Sequence, residues 1–317
     1  MSSAPQVRHF FAHLEALSAR MRALSKLDQT GKVTVSLGGS CKLRCRHCYI
    51  TVTGFKFHPN VPAAQAAQEL KSYPPGSFDT ICISGDTDPL LRQPEFCNLL
   101  EMITEELDYS ALMFTTRLLP SSCTIQSIKR VAGKNIRKRR LLIPCYSFVS
   151  SSEKNVIENS DLVPTTSARL QAMIQFREMG VPCLAAMRPI FPYHIVSRHE
   201  QEELINRLAE HCECILGEVL ITDEAGELDH RLQTVGKGEV AEYSSLTFLD
   251  QPTLWHKTKF NAELRGAQAL CRSLGIPFFI RSMSAVRLLQ MSWDLDLACW
   301  RSDVVRDAVG CYDHLNP

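Results

Sequence analysis

No stretch of this sequence stays apolar for long. Its uninterrupted hydrophobic runs end after a few residues, as at Cys183–Met187, where crossing a bilayer takes about 20. A membrane-spanning helix is therefore not expected. His9, His13, Glu15 and Arg20 interrupt the apolar positions of the N-terminus, so no secretory leader is expected and a soluble cytoplasmic protein is. Charge of one sign is missing too: 35 Lys and Arg face 34 Asp and Glu, a formal net charge of +1. Nothing global draws such a chain to nucleic acid or anionic membrane. Internal repeats and low-complexity segments are absent, and so is any second CxxC pair. That removes the paired knuckles on which most structural zinc sites rest.

What the chain does have is cysteine. Thirteen occur in 317 residues, and without an export signal clustered cysteines read as metal ligands rather than disulfides. Ten are scattered, at 82, 97, 123, 145, 183, 212, 214, 271, 299 and 311, and read as small buried hydrophobes. The other three crowd into Cys41-Lys-Leu-Arg-Cys45-Arg-His-Cys48. A hydrophobic content of 45% and a mean hydropathy of −0.09 provide ample core, and the length suits one barrel with terminal extensions.

Hydrophobic periodicity predicts the elements. Phe10, Leu14, Leu17, Met21, Leu24 and Leu27 recur at helical steps over 9–27. Strands are expected at Val33–Leu37, Thr80–Ser84, Leu112–Thr116, Leu141–Phe148, Pro182–Arg188 and Ile215–Thr222, with helices near 62–71, 94–107, 122–133, 165–179 and 199–211 between them. Strand-then-helix alternation implies an α/β fold, a parallel sheet curled into a partial (β/α)6 barrel. Beyond about 226 the rhythm breaks into a helix near 258–274, a short strand at Phe278–Arg281 and a helix near 300–309. The expected organisation is an N-terminal helix (1–30), the partial barrel (31–225) and a C-terminal α/β extension capping it (226–317).

The dense cysteine group falls in the loop after the first barrel strand, and parallel barrels carry their chemistry at the C-terminal ends of strands. Three thiolates spaced CxxxCxxC can cap three irons of a [4Fe–4S] cubane and leave the fourth open to a chelating substrate. Lys42, Arg44 and Arg46 would favour the thiolate forms. A zinc site completed by His47 or a distant cysteine, in a non-catalytic binding protein, is the alternative. At the end of the second strand, Ile83-Ser84-Gly85-Asp86-Thr87-Asp88-Pro89 offers close backbone approach at Gly85 and two carboxylates. The same residues serve equally well as a turn with an Asp helix cap.

The cysteine spacing resembles the signature of the radical S-adenosylmethionine superfamily, in which an aromatic residue commonly precedes the third cysteine. This chain has His47 there and Tyr49 just after. Thr87-Asp88-Pro89 with Gln93-Pro94-Glu95, then Glu158, Pro164, Arg169-Leu170, Gly180-Val181-Pro182 and Arg188-Pro189-Ile190-Phe191-Pro192, are similar to motifs of its spore photoproduct lyase-like branch. The resemblance covers about 33–222 and implies a [4Fe–4S] cluster on Cys41, Cys45 and Cys48. It implies reductive cleavage of S-adenosylmethionine to a 5′-deoxyadenosyl radical that takes hydrogen from a small-molecule, nucleoside-like or peptide substrate. An oxygen-sensitive enzyme fed by a reductant such as flavodoxin or ferredoxin follows. The resemblance also assigns roles: Tyr49 beside the adenine; Ser84, Gly85, Asp86 and Asp88 around the methionine ammonium; Ser147 or Glu158 on the ribose; Arg117 or Arg188 on the carboxylate. Cys145 and Tyr146, late in the fourth strand, are candidate hydrogen-atom donors to a product radical.

True spore photoproduct lyases carry a donor cysteine at the end of the second strand, where this chain has Gly85, with Cys82 three residues earlier and facing elsewhere by strand alternation. Repair of a nucleic-acid lesion is thus the lesser alternative. The one basic run, Lys134, Arg137, Lys138, Arg139 and Arg140, precedes the fourth strand and is expected on the face away from the cluster. Cys212, Cys214, Cys271, Cys299 and Cys311 match no auxiliary-cluster spacing.

Overall fold

The computed structural model describes residues 25–27, 31–51, 59–85, 87–153, 157–158, 161–223, 226–232, 239–243, 253–257 and 261–293. Short, mostly buried runs alternate as strands with helices: β1 (Ser25–Leu27), β2 (Lys32–Val35), α1 (Ala63–Lys71), β3 (Thr80–Ile83), α2 (Gln93–Glu106), β4 (Ala111–Thr116) and α3 (Ser122–Arg137). There follow β5 (Leu141–Ser147), α4 (Thr166–Glu178), β6 (Leu184–Ile190), α5 (Arg198–Ala209), β7 (Cys214–Val219), β8 (Ile221–Asp223) and α6 (Glu227–Leu232). Last come β9 (Glu239–Tyr243), β10 (Thr253–Lys257), α7 (Asn261–Ser273), β11 (Phe278–Phe279) and α8 (Ser282–Trp293). Helix starts use the expected chemistry. Ser121 and Thr165 cap α3 and α4 by accepting from Thr124 N and Ala168 N, and Ser197 with Glu200 forms a full capping box on α5.

The main sheet runs β1-β2-β3-β4-β5-β6-β7-β11. Seven strands, β2 to β7 and β11, are parallel, and β1 pairs antiparallel with β2 at the edge. The barrel is not closed: β2 and β7 do not pair. Two expectations are corrected. Ser25–Leu27 is a strand paired with Val33–Val35, not the last turn of a helix, and the rest of the predicted N-terminal helix lies outside the described residues. The sixth barrel strand ends at Val219, and Ile221–Asp223 turns away into a three-stranded antiparallel sheet, β8-β10-β9. The helix expected near 300–309 also lies outside the described residues.

Strand alternation divides the core into two apolar layers. Outward positions such as Ile81, Phe114, Tyr146 and Ile215 pack under Phe96, Leu99, Met173 and Phe176 of the helices. Inward positions, among them Cys82, Met113, Ile143, Leu184, Ala186 and Leu216, pack against Ala285, Val286, Leu288 and Leu289 of α8. Helix α8 therefore fills the lower part of the concave side. Only its upper part, at the C-terminal ends of the strands, stays open.

Candidate active site at the strand tips

Inward side chains turn polar together as the strands end. Cys82 gives way to Ser84 on β3, Met113 to Thr115 and then Arg117 on β4, and Cys145 to Ser147 on β5. Ala186 gives way to Arg188 on β6 and Leu216 to Glu218 on β7. These tips line a cavity of about 440 Å³ together with Cys41, Cys45, His47 and Cys48 from the loop after β2, and with Gly85, Thr87 and Asp88. The gap between β2 and β7 is bridged at the mouth, where Arg231 of α6 donates to Thr51 Oγ1 at 2.6 Å.

The cysteine loop is held from several sides. Leu43, Cys45 and Val163 form a small core against Cys41, Cys48, Leu91 and Leu118. Arg46 N donates to Ile157 O at 2.9 Å, and Cys48 N to Cys45 O at 3.1 Å. Gly39, at φ +89, leads into the loop where a Cβ would lie 2.6 Å from Asn60 Oδ1. Lys42, Arg44 and Arg46 are exposed, and Arg44 also lines the cavity. The cation beside the thiols is Arg117. Burial pushes the Cys45 thiol up to about 11, and Arg117 is the charge that opposes the rise. Burial likewise raises Cys48, with Arg117 again lowering it.

Arg117 belongs to a buried network. Its Nε donates to Glu158 Oε1 at 3.1 Å, and its Nη2 lies 3.0 Å from His47 Nε2. Glu158 also takes a bidentate pair from Arg169, at 2.9 and 2.6 Å. Burial works against the Arg117 charge, yet Cys45 and Glu158 hold the guanidinium above its ordinary value. Burial first and Arg117 second push His47 down to about 3, so the ring is neutral. With Nε2 facing a guanidinium it acts as acceptor there, which places the proton on the buried Nδ1. The ring packs edge-on against Phe191 at 5.6 Å.

Other expected site residues divide clearly. Ser84, Gly85, Asp88, Arg117, Ser147 and Arg188 line the cavity. Asp88 has both carboxylate oxygens engaged: Oδ1 accepts from Leu90 N (3.0 Å) and Thr116 Oγ1 (2.7 Å), Oδ2 from Arg117 N (2.6 Å). Asp86 and the side chain of Tyr49 lie outside the described residues. Glu158 stands behind the wall, bonded through Arg117. Arg188 donates to Ile280 O of the C-terminal extension, and its Nε is buried without a partner.

Cys145 faces inward but is sealed beneath the cavity floor, its thiol pushed up to about 12 by burial. Tyr146 faces the opposite way, fully buried against Phe176 of α4. Cys82 faces the interior one position below Ser84 and is buried there. Cys212 and Cys271 pack in the helix-side layer and Cys214 in the inner layer, while Cys299 and Cys311 lie outside the described residues. Glu218 was missed by reading the sequence. Extending the inward parity of Cys214 and Leu216 by one step would have found it.

The donor set can be tested against the expected metal groups. Among the described residues no three His, Cys, Asp or Glu side chains gather tightly enough for a single metal ion. A tetrahedral zinc needs its sulfurs about 2.3 Å from one point, whereas a cubane binds each thiolate through a different iron. Three cysteines on one wall of an open cavity, with a guanidinium beside them, fit the cubane.

By sequence, no family model and no curated protein matches the chain. Its fold is similar to that of the radical S-adenosylmethionine methyltransferase TsrM from Kitasatospora setae, solved with cobalamin and a [4Fe–4S] cluster. The TM-score is 0.49 at 10% identity, over 88% of this chain and 61% of that one. A second TsrM structure, with tryptophan substrate and the S-adenosylmethionine analogue aza-SAM bound, matches at TM-score 0.49 and 11% identity. It is matched over 81% of this chain and 53% of its own, so the chain spans less than two thirds of either.

Proposed function

We propose that this protein is a radical S-adenosylmethionine enzyme. One observation carries the reading: Cys41, Cys45 and Cys48 line the same cavity as the polar tips of the next five barrel strands. When bound, a three-cysteine [4Fe–4S] cluster supplies one-electron cleavage of S-adenosylmethionine, giving methionine and a 5′-deoxyadenosyl radical that removes hydrogen from a C–H bond. The chain's own residues bind, orient and exclude water. Arg117 or Arg188 takes the methionine carboxylate: Arg117 is also held by Glu158 and His47, and Arg188 by Ile280 O. Ser147 faces the ribose. Glu218, alone among the described cavity carboxylates in having no partner, supports a substrate that offers a donor or positive charge at the β7 tip. Helix α8 seals the floor, so the substrate enters from the mouth.

Cys145 is buried and does not line the cavity, and Tyr146 faces the helices; neither serves as hydrogen donor in this proposal. The likeness to the spore photoproduct lyase-like branch rests on sequence segments. The comparison of folds does not support that branch, and a small-molecule, nucleoside-like or peptide substrate remains the proposal.

Anaerobic reconstitution with iron and sulfide is expected to give a brown protein absorbing at about 400 nm. With a reductant it should release methionine and 5′-deoxyadenosine. Alanine at Cys41, Cys45 or Cys48 should remove most iron and all cleavage; alanine at half-buried Cys97 or exposed Cys123 should change neither. Full iron content in Cys45→Ala would sink the proposal.

A further inference from the structure

The outward half of the cysteine loop has no task in the chemistry above. Exposed and buried residues alternate along it: Lys42, Arg44 and Arg46 project into solvent while Leu43, Cys45 and His47 between them are buried. Among the described residues none of the three cations pairs with a carboxylate. The other basic segment is partly neutralised: Lys134 pairs with Glu105, Arg140 with Asp108 at 2.9 Å, and Lys138 donates to Thr104 O at 2.9 Å, while Arg137 and Arg139 are exposed without an ion pair among the described residues. That segment precedes β5, at the end of the sheet away from the cysteines. Like charges two residues apart repel, and Arg44 additionally holds φ +49, a backbone region uncommon for a long side chain. The loop that carries the three cysteines therefore presents exposed positive charge with no ion pair among the described residues.

Apolar surface adjoins it. Leu119 and Leu162 are two of the four exposed large hydrophobic residues described, at 36% and 48% exposure. Each is one residue from a side chain, Leu118 or Val163, that packs against the cysteine loop, and successive Cα atoms are about 3.8 Å apart. Exposed Asp161, beside Leu162 in the chain, leaves the patch two charges positive. Isolated exposed leucines are ordinary. Two of them around three unpaired cations make an apolar contact with a charged rim, the anatomy of a transient protein interface.

Resting on the proposed function, we infer that this face receives an acidic, low-potential one-electron carrier protein. Lys42 and Arg46 steer it, and Leu119 and Leu162 form the contact. The carrier loses one electron and the cluster gains it; no bond or proton changes hands. Docking over the loop places the carrier against the thiol ligands and leaves the cavity mouth, where Arg44 stands, to the substrate.

The test uses the reconstituted full chain and follows bleaching near 400 nm in stopped flow, with flavodoxin hydroquinone or reduced methyl viologen as donor. Wild-type reduction by flavodoxin should slow steeply with salt. Lys42→Glu with Arg46→Glu should slow it about tenfold or more at low ionic strength and flatten the salt dependence. Reduction by viologen should not fall, and Lys42→Arg with Arg46→Lys should keep the wild-type rate. Flavodoxin rates indifferent to salt and to charge reversal would overturn the inference. So would a variant that slows both donors equally, since the cations would then act on the cluster itself. Preferential binding of duplex DNA to the same residues would replace the carrier with another partner. Absence of iron and of the absorption band would instead overturn the functional proposal beneath it.

Discussion

At the scale of single residues, two carboxylates next to the cavity act on the fold before they act on any ligand. Asp88 accepts three hydrogen bonds that tie the tip of β4 to the turn after β3. Removing it leaves buried donors without a partner, so Asp88→Ala should cost about 1–3 kcal/mol in urea denaturation. Under the proposed function, Asp86 is the other carboxylate of this segment offered to the cofactor ammonium. Asp86→Ala should keep stability and weaken S-adenosylmethionine binding by about 1.5–3 kcal/mol; the opposite pattern would exchange the two roles. Glu158 is the second case. It is 2% exposed and answers the buried Arg169 and the Arg117 guanidinium, so Glu158→Ala strands two cations and should cost about 3–5 kcal/mol. Arg169 and Arg117 hold its carboxyl below the ordinary value of 4.5 against the upward push of burial. A depressed acid stabilises the fold above its unfolded pKa and loses that contribution as pH falls through the folded one. Wild-type stability should therefore drop as pH falls below about 4.5, and Glu158→Gln should flatten that part of the profile.

At the scale of elements, β11 completes the sheet through a fit that only glycine allows. A Cβ on Gly217 of β7 would lie 2.1 Å from Phe278 Cζ and 3.0 Å from Ile190 Cδ1. Phe278 is the first of two residues by which β11 pairs with β7, and α8 follows directly. Gly217→Ala should cost about 1–3 kcal/mol by overpacking and make the C-terminal extension more sensitive to limited proteolysis; unchanged sensitivity would mean that β11 contributes little to holding α8 in place. The barrel strands were legible in the sequence as short apolar runs, the mark of burial on both faces, and the helices by helical spacing and capping residues. The failures share a cause. Leu24 and Leu27 fit a helical spacing, but three residues beside an exposed sheet edge pair instead, and tertiary pairing overrides so short a pattern. Alternation was legible on β5 as well, yet the sequence alone left open which parity faced inward, so Cys145 and Tyr146 were both offered for the cavity. Arg117 was found as a strand-tip residue. Its place beside the thiols was not, because the contact joins residues 70 positions apart, as the bond to His47 shows.

At the scale of the whole molecule, charge and cavity shape decide between small ligands and duplex DNA. The chain carries a net charge of +1, and its densest basic segment lies before β5, at the end of the barrel opposite the cavity, with Lys134 and Arg140 already paired to acids. At the cavity end of the sheet the exposed cations without an ion pair among the described residues include Lys42, Arg44 and Arg46 of the cysteine loop and Arg281 just past β11. Each neutralised phosphate contributes about −0.9 to the slope of log affinity against log salt, so these four support a slope of about −3.6, against 6–10 contacts in a strong duplex binder. A cavity of about 440 Å³ lies at the lower end of the range for small-molecule sites. Much of it is needed for the nucleoside and methionine of the cofactor, leaving room for a small substrate or one inserted group of a peptide. A labelled duplex should therefore bind no tighter than micromolar at about 150 mM salt, with a shallow salt slope. Submicromolar binding with a steep slope would place phosphate contacts on residues outside those described and restore nucleic acid as the substrate. The complementary measurement is deuterium transfer into 5′-deoxyadenosine from labelled small molecules, where enrichment from an amine-bearing compound that is lost in Glu218→Gln would identify both the substrate and its anchor at the β7 tip.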